Sequence, residues 1–176
     1  MNLDIILSNL AKGFPQIAKS FTKDLSILWL ITPVLLFWII IEIYLDRYKK
    51  EDLGWNTALG NGLSVLWVSL ICLRFLFELD FKHFQWSKLI ALIIIFIYGC
   101  FVVINSYYHR LKKKVSFVLA SPTPIYFLSL VAILWTYGYL PINFWIILDL
   151  IILYTIIGLI ELILKKIVKE KEVVDV

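Results

Sequence analysis

The sequence predicts an all-α fold, a polytopic helical membrane bundle of about five transmembrane helices preceded by an N-terminal amphipathic interfacial helix. Three observations point there. Of the 176 residues, 61% are hydrophobic and 17% charged, and the mean hydropathy is +0.89. A water-soluble fold of this length keeps too much surface in solvent to hide so much apolar side chain. Apolar runs such as WLITPVLLFWIIIEIYL and LIALIIIFIYGCFVVI approach the roughly 20 residues that carry a helix across about 30 Å of hydrocarbon. Finally, most Lys and Arg residues cluster between these runs rather than within them.

The first element is the stripe Leu3, Leu7, Leu10, Phe14, Ile17 and Phe21, spaced alternately by four and three residues, with Asp4, Ser8, Lys12 and Lys19 off it. That pattern makes residues 1–24 an amphipathic segment lying in the membrane interface, or alternatively a helix docked on another. Gly13 and Pro15 are expected to split it into two pieces. The start MNLDIILSNL lacks the basic and long apolar regions of a cleavable leader. Five spans follow, at Leu25–Leu45, Thr57–Leu79, Lys88–Tyr108, Thr123–Leu140 and Phe144–Leu164, and residues 165–176 form a basic tail. The fourth span is the shortest.

Helix-start chemistry accompanies the spans. Asn56, Ser87, Thr123 and Asn143 stand where an N-cap oxygen is wanted, Pro124 fits a first helical position, and Pro141 is expected to end the fourth helix. Pro33 predicts a kink in the first span. The doorway LGWNTALGNG at residues 53–62 reads as a helix break at Gly54, a cap at Asn56 and a close-packing start. Ala58 with Gly62, and Gly60 with Ser64, are small residues four apart, which let helix backbones approach where no hydrophobic force drives association. A glycine-rich break lining a cavity is the alternative.

Lys and Arg set orientation. Eleven lie in the 46–56 loop, the 109–122 loop and the tail, against five on the other side. The tail is therefore expected in the cytoplasm and the N-terminus outside, in the cell membrane. The clusters RLKKK and KKIVKEK sit beside membrane edges and read as topology signals attracted to anionic lipid. No folded basic surface outside the membrane suits nucleic acid. The expected partners are the bilayer and other membrane proteins or a second copy.

Ionisable residues inside spans are the default place to look for function. Arg74 and Asp149 fall at one depth near the outer edge, about 7.5 Å in by helical rise, which permits a salt bridge; Glu78, four residues from Arg74, offers a local one. Nearer the cytoplasmic edge lie Glu42, Asn61, Asn105 and Glu161, the two Asn expected as interhelical hydrogen-bond glue. Glu42 and Asp46 are one turn apart, too few oxygens for a hard cation, so no metal site is assigned. Cys72 and Cys100 lie at different depths and are expected as free thiols. His83 and His109 fall in loops on opposite sides and cannot share a site. No HExxH, GxSxG, P-loop or GxGxxG is present, no catalytic residue is assigned and no cofactor is expected. The ranking puts a non-enzymatic structural or accessory subunit first. A small permease or channel using Arg74, Asp149, Glu42 and Asn61 follows, then a lipid-modifying enzyme working through Glu42 and Asp46.

Overall fold

A computed structural model describes residues 3–47, 54–79 and 84–167, and every element among them is helical. Lys49, Lys50, Lys82, His83 and the tail beyond Ile167 lie outside the described residues. Helix α1 spans Leu3–Ser20, and a 3-10 turn at Leu25–Ile27 leads into α2, Leu28–Arg47. Then come α3 (Gly54–Glu78), α4 (Trp86–Tyr107), α5 (Lys113–Leu119), α6 (Pro122–Thr136) and α7 (Phe144–Ile167). Five segments are long and apolar enough to cross a membrane: Leu25–Leu45, Gly54–Glu78, Trp86–Tyr107, Lys113–Thr136 and Phe144–Leu164. The protein is an integral membrane protein.

The spans alternate in direction. Tyr139 donates its hydroxyl to Asp24 Oδ2 at 2.8 Å, which ties the entrance of α2 to the α6–α7 turn and marks one end of the bundle. At the other end Trp55 Nε1 donates to the Leu111 carbonyl at 3.2 Å and its ring stacks on His109, centroids 4.1 Å apart. His109 holds a left-handed φ of 51° there, so the α4–α5 turn folds onto the start of α3. These are called below the Asp24 end and the Trp55 end.

Helix α3 is the hub, packed against α4, α5 and α6, while α2 lies on α6 and α1 on α7. Its buried positions Ala58, Val65, Val68, Cys72 and Leu76 recur at helical spacing and form one face. On α4 the facing stripe is Leu92, Gly99, Val102 and Ser106. A side chain at Gly62 would come within 2.8 Å of Val102, and one at Gly99 within 2.8 Å of Leu66. Both glycines therefore let α3 and α4 approach closely. Outward, Trp29, Phe37, Ile40, Trp67, Ile94 and many other large apolar side chains are exposed, as a lipid-facing surface requires.

Several expectations are corrected. Helix α1 is continuous through Gly13 and Pro15, since one absent amide does not end a helix that has a packing partner. Helix α3 begins at Gly54 and α4 at Trp86, so Asn56 and Ser87 lie inside helices rather than at their caps. The fourth span runs from Lys113 rather than Thr123 and ends at Thr136 rather than Leu140. Its end is made by Gly138 at φ 78°, with Tyr139 N donating to Leu134 O and Gly138 N to Trp135 O. That left-handed Schellman closure stops the helix before Pro141 is reached. Asn143 does cap α7, its side chain accepting from Ile146 N at 3.0 Å.

Candidate functional site

The fourth span is two helices, and the sequence SPTP explains the break. Ser121 precedes Pro122, whose ring excludes the α conformation from the residue before it; Ser121 accordingly sits at φ −55°, ψ 138°. Pro122 then opens α6 at its first position and Pro124 follows in the first turn, where missing N–H groups break no ladder. The cost falls on α5, whose last carbonyls lose their helical donors inside the bundle. Two side chains replace them. Tyr98 of α4 donates its hydroxyl to the Leu119 carbonyl, and Asn61 Nδ2 of α3 donates to the Ala120 carbonyl at 2.6 Å. Asn61 Oδ1 in turn accepts from the Tyr126 hydroxyl of α6 at 3.0 Å. One buried amide thus joins both halves of the broken span. Asn61 stands seven residues into α3, about 10 Å from its start by helical rise.

In its first turn, α6 presents Thr123 to two acids on different helices. Its hydroxyl lies 2.9 Å from Glu42 Oε1 of α2 and in contact with Glu161 Oε1 of α7. A hydroxyl has one hydrogen to give. Both contacts are satisfied as two full hydrogen bonds when one carboxyl carries a proton that it donates to Thr123, or when a cation sits among the oxygens. The N-terminus of α6 adds a partial positive charge that favours the acids there. Among the described residues no group of three or more His, Cys, Asp or Glu converges, so no third side chain of those types joins the two carboxyls.

Two hollows flank this layer. A cavity of about 590 Å³ lies between α5, α6 and α7, with Glu161, Thr123, Ser121 and Tyr154 among its walls. A second, of about 400 Å³, lies between α2, α3 and α6, walled by Trp29, Pro33, Phe37 and Trp67 with Ser64, Tyr126 and Ser129 on its inner side.

The remaining sequence-selected residues are dispersed. Arg74 and Asp149 do not pair. Arg74 Nε donates to Glu78 Oε1 at 2.8 Å, with both side chains exposed, 81% and 58%. Asp149 is fully buried with neither oxygen hydrogen-bonded, pressed against Gly13 of α1. Equal depth put Arg74 and Asp149 at one level, but they face different neighbours around their helix axes. Asn105 bonds its own helix, Nδ2 to the Phe101 carbonyl at 2.7 Å, so it is not interhelical glue; it meets its donor requirement locally. Gly60 is exposed with nothing within 4 Å of where a side chain would start, and the Ser64 hydroxyl donates to its carbonyl at 3.0 Å. That pair forms no close helix contact, whereas Ala58 and Gly62 are buried. Cys72 and Cys100 are free thiols.

The sequence reading missed Tyr98, Tyr126 and the hydroxyl role of Thr123. It also missed Lys88, which is buried and donates Nζ to the Thr136 carbonyl at 3.1 Å, placing a cation at the C-terminus of α6. The SPTP stretch was the available signal for the break. At the Asp24 end, the Ser26 backbone N–H and the Tyr139 hydroxyl hold the Asp24 carboxyl below its ordinary range. Burial and then the Asp24 contact push Tyr139 above its own. Compared with known proteins, the chain matches no family model, no curated protein and no solved structure.

Proposed function

We propose that the chain is a small permease that binds and releases a cation, in the simplest case a proton, at Glu42, Thr123 and Glu161 beside its broken fourth span. The observation that carries this reading is the single Thr123 hydroxyl between two carboxyls on separate helices. That arrangement holds the cluster together with a proton and loosens it by repulsion without one. Discontinuous spans are where membrane transporters build such sites, because unwound backbone is tolerated at membrane depth only against protein or a cavity. The geometry thus favours the permease over the accessory subunit ranked first on sequence, with Arg74 playing no part in the pathway. A second reading, a subunit docking on another membrane protein or a second copy, is favoured by Gly60, exposed on α3 with open space around it.

The eleven-to-five Lys and Arg bias orients the site toward the cytoplasmic half of the cell membrane. A reporter fused at Val176 is then cytoplasmic and a tag at Met1 external; both on one side would refute the orientation. The functional test is proton flux into proteoliposomes under an imposed gradient, followed by an internal pH dye. Glu161→Gln and Glu42→Gln should each reduce flux at least about tenfold with unchanged melting. Flux at the wild-type rate in both variants would remove the permease reading, and a partner co-purifying in mild detergent would replace it with the subunit.

A further inference from the structure

We infer that the cavity between α5, α6 and α7 binds a membrane-dissolved organic cation, a quaternary or protonated centre carried on an apolar body. This rests on the permease reading and names its substrate class. At about 590 Å³ the cavity has the size of a small-molecule site and is far too large for a bare ion. Its walls include Phe117, Val118, Leu159 and Leu162, and among the described residues Glu161 is the one charged side chain that lines it. A carboxylate facing an apolar chamber is complementary to positive charge on a hydrophobic frame and repels anionic headgroups. Hard metal ions want six or more oxygens, which these walls do not gather. Phe117 and Tyr154 add aromatic walls, a residue type that attracts an onium centre, which is only weakly hydrated.

The access route is lateral. Val118, Leu159 and Leu162 are 65%, 56% and 58% exposed, within segments that cross the membrane, so the mouth opens onto hydrocarbon. Gly158 also lines the cavity, and nothing lies within 4 Å of where its side chain would begin. Glu161 contacts the Thr123 hydroxyl. An arriving cation takes over that carboxylate, and the proton held in the cluster leaves to solvent. One positive charge enters as one departs, so the site keeps its net charge.

The probe is tetraphenylphosphonium, offered to the full chain in dodecyl maltoside micelles, which carry no ammonium headgroup, with binding measured by calorimetry and proton release in weak buffer. Saturable binding is expected, with about one proton released per cation bound. Glu161→Gln should weaken it at least about tenfold, and Glu161→Asp should retain most of it. Gly158→Leu, which fills the chamber and leaves the charge, should weaken it similarly while melting stays unchanged. Glu78→Gln, at the far end of the bundle, should leave it as in wild type. Partitioning that does not saturate, or equal binding by wild type, Glu161→Gln and Gly158→Leu, would overturn the inference. So would loss of binding when phosphatidylcholine or phosphatidylethanolamine is added to the micelles, which would give the cavity to a lipid ammonium headgroup. No binding alongside Glu161-dependent proton flux would sink the organic cation and spare the permease. Binding without any flux would do the reverse.

Discussion

Replacing Gly13 by alanine tests how α1 is seated. A Cβ at that position would lie 1.6 Å from Asp149 Oδ2 and 2.7 Å from its Cγ, with Ile146 Cδ1 at 3.5 Å. Ordinary contact needs about 3.4 Å or more, so one partner has to move by roughly 2 Å. The cheapest escape is a changed Asp149 rotamer, but that carboxyl is fully buried and any swing meets packed atoms. Overpacking of this kind costs about 1–3 kcal/mol, against about 1 kcal/mol gained by exchanging Gly for Ala within a helix. In the wild-type background, Gly13→Ala should therefore be neutral to destabilising by up to about 2 kcal/mol. Asp149→Ala should itself cost little, because it removes two buried oxygens that have no donor. In that second background the clash is gone, and Gly13→Ala should stabilise by up to about 1 kcal/mol. For a chain of this size each kcal/mol moves the melting temperature by about 2–4 °C. Detergent melting of the four proteins reads the coupling, expected at about 1–3 kcal/mol. Equal stabilisation by Gly13→Ala in both backgrounds would mean that α1 does not rest on Asp149, and the seating of α1 described above would be wrong.

Three further outcomes follow from the packing and the caps. Gly62→Leu should lower the melting temperature by forcing α3 from Val102 and Val103, whereas Gly60→Leu, with open space around it, should not; equal effects on melting would contradict the close α3–α4 contact. Asn61→Ala strands the Ala120 carbonyl and the Tyr126 hydroxyl, and should cost about 1–3 kcal/mol in a denaturant or heat titration. A neutral result would mean that the break is satisfied by other donors. Asp24 has a depressed folded pKa, so its contribution is complete above its unfolded value and is lost as pH falls through the folded one. Melting from pH 7 down to 3 should fall less steeply for Asp24→Asn than for wild type, and identical slopes would refute the Asp24–Tyr139 contact.

The five spans were legible because crossing hydrocarbon demands long apolar runs, and nothing else in the sequence imitates Leu25–Leu45 or Phe144–Leu164. The fourth was misplaced for an equally physical reason. Lys112, Lys113 and Lys114 read as loop, yet lysines at a helix end can reach the interface while their stems stay against protein. Pro124 reads as the helix start, whereas Pro122, two residues earlier, holds that place. Depth along a helix is one-dimensional information, and it placed Arg74 beside Asp149 although partnership also depends on rotation about the axis. Gly13 was read as a breaker because its use depends on α7, far away in the chain. Tyr98, Asn61 and Tyr126 form one network only after three helices have packed, and no local pattern announces that.

The gap at Ala120–Ser121 also has a mechanical meaning. Helix α5 leans on α3 and α4, while α6 leans on α3 and α2, so the two halves of one membrane crossing share α3 and differ in their second companion. In an unbroken rod, tilting one half would bend a continuous ladder of backbone bonds. Here the joint is held chiefly by exchangeable side-chain bonds from Asn61 and Tyr98, which can re-form after small displacements. A displacement of α5 against α6 at this joint would widen or narrow the hollow that both halves share with α7. A short chain thereby carries a joint inside one membrane crossing without giving up a whole helix to make one.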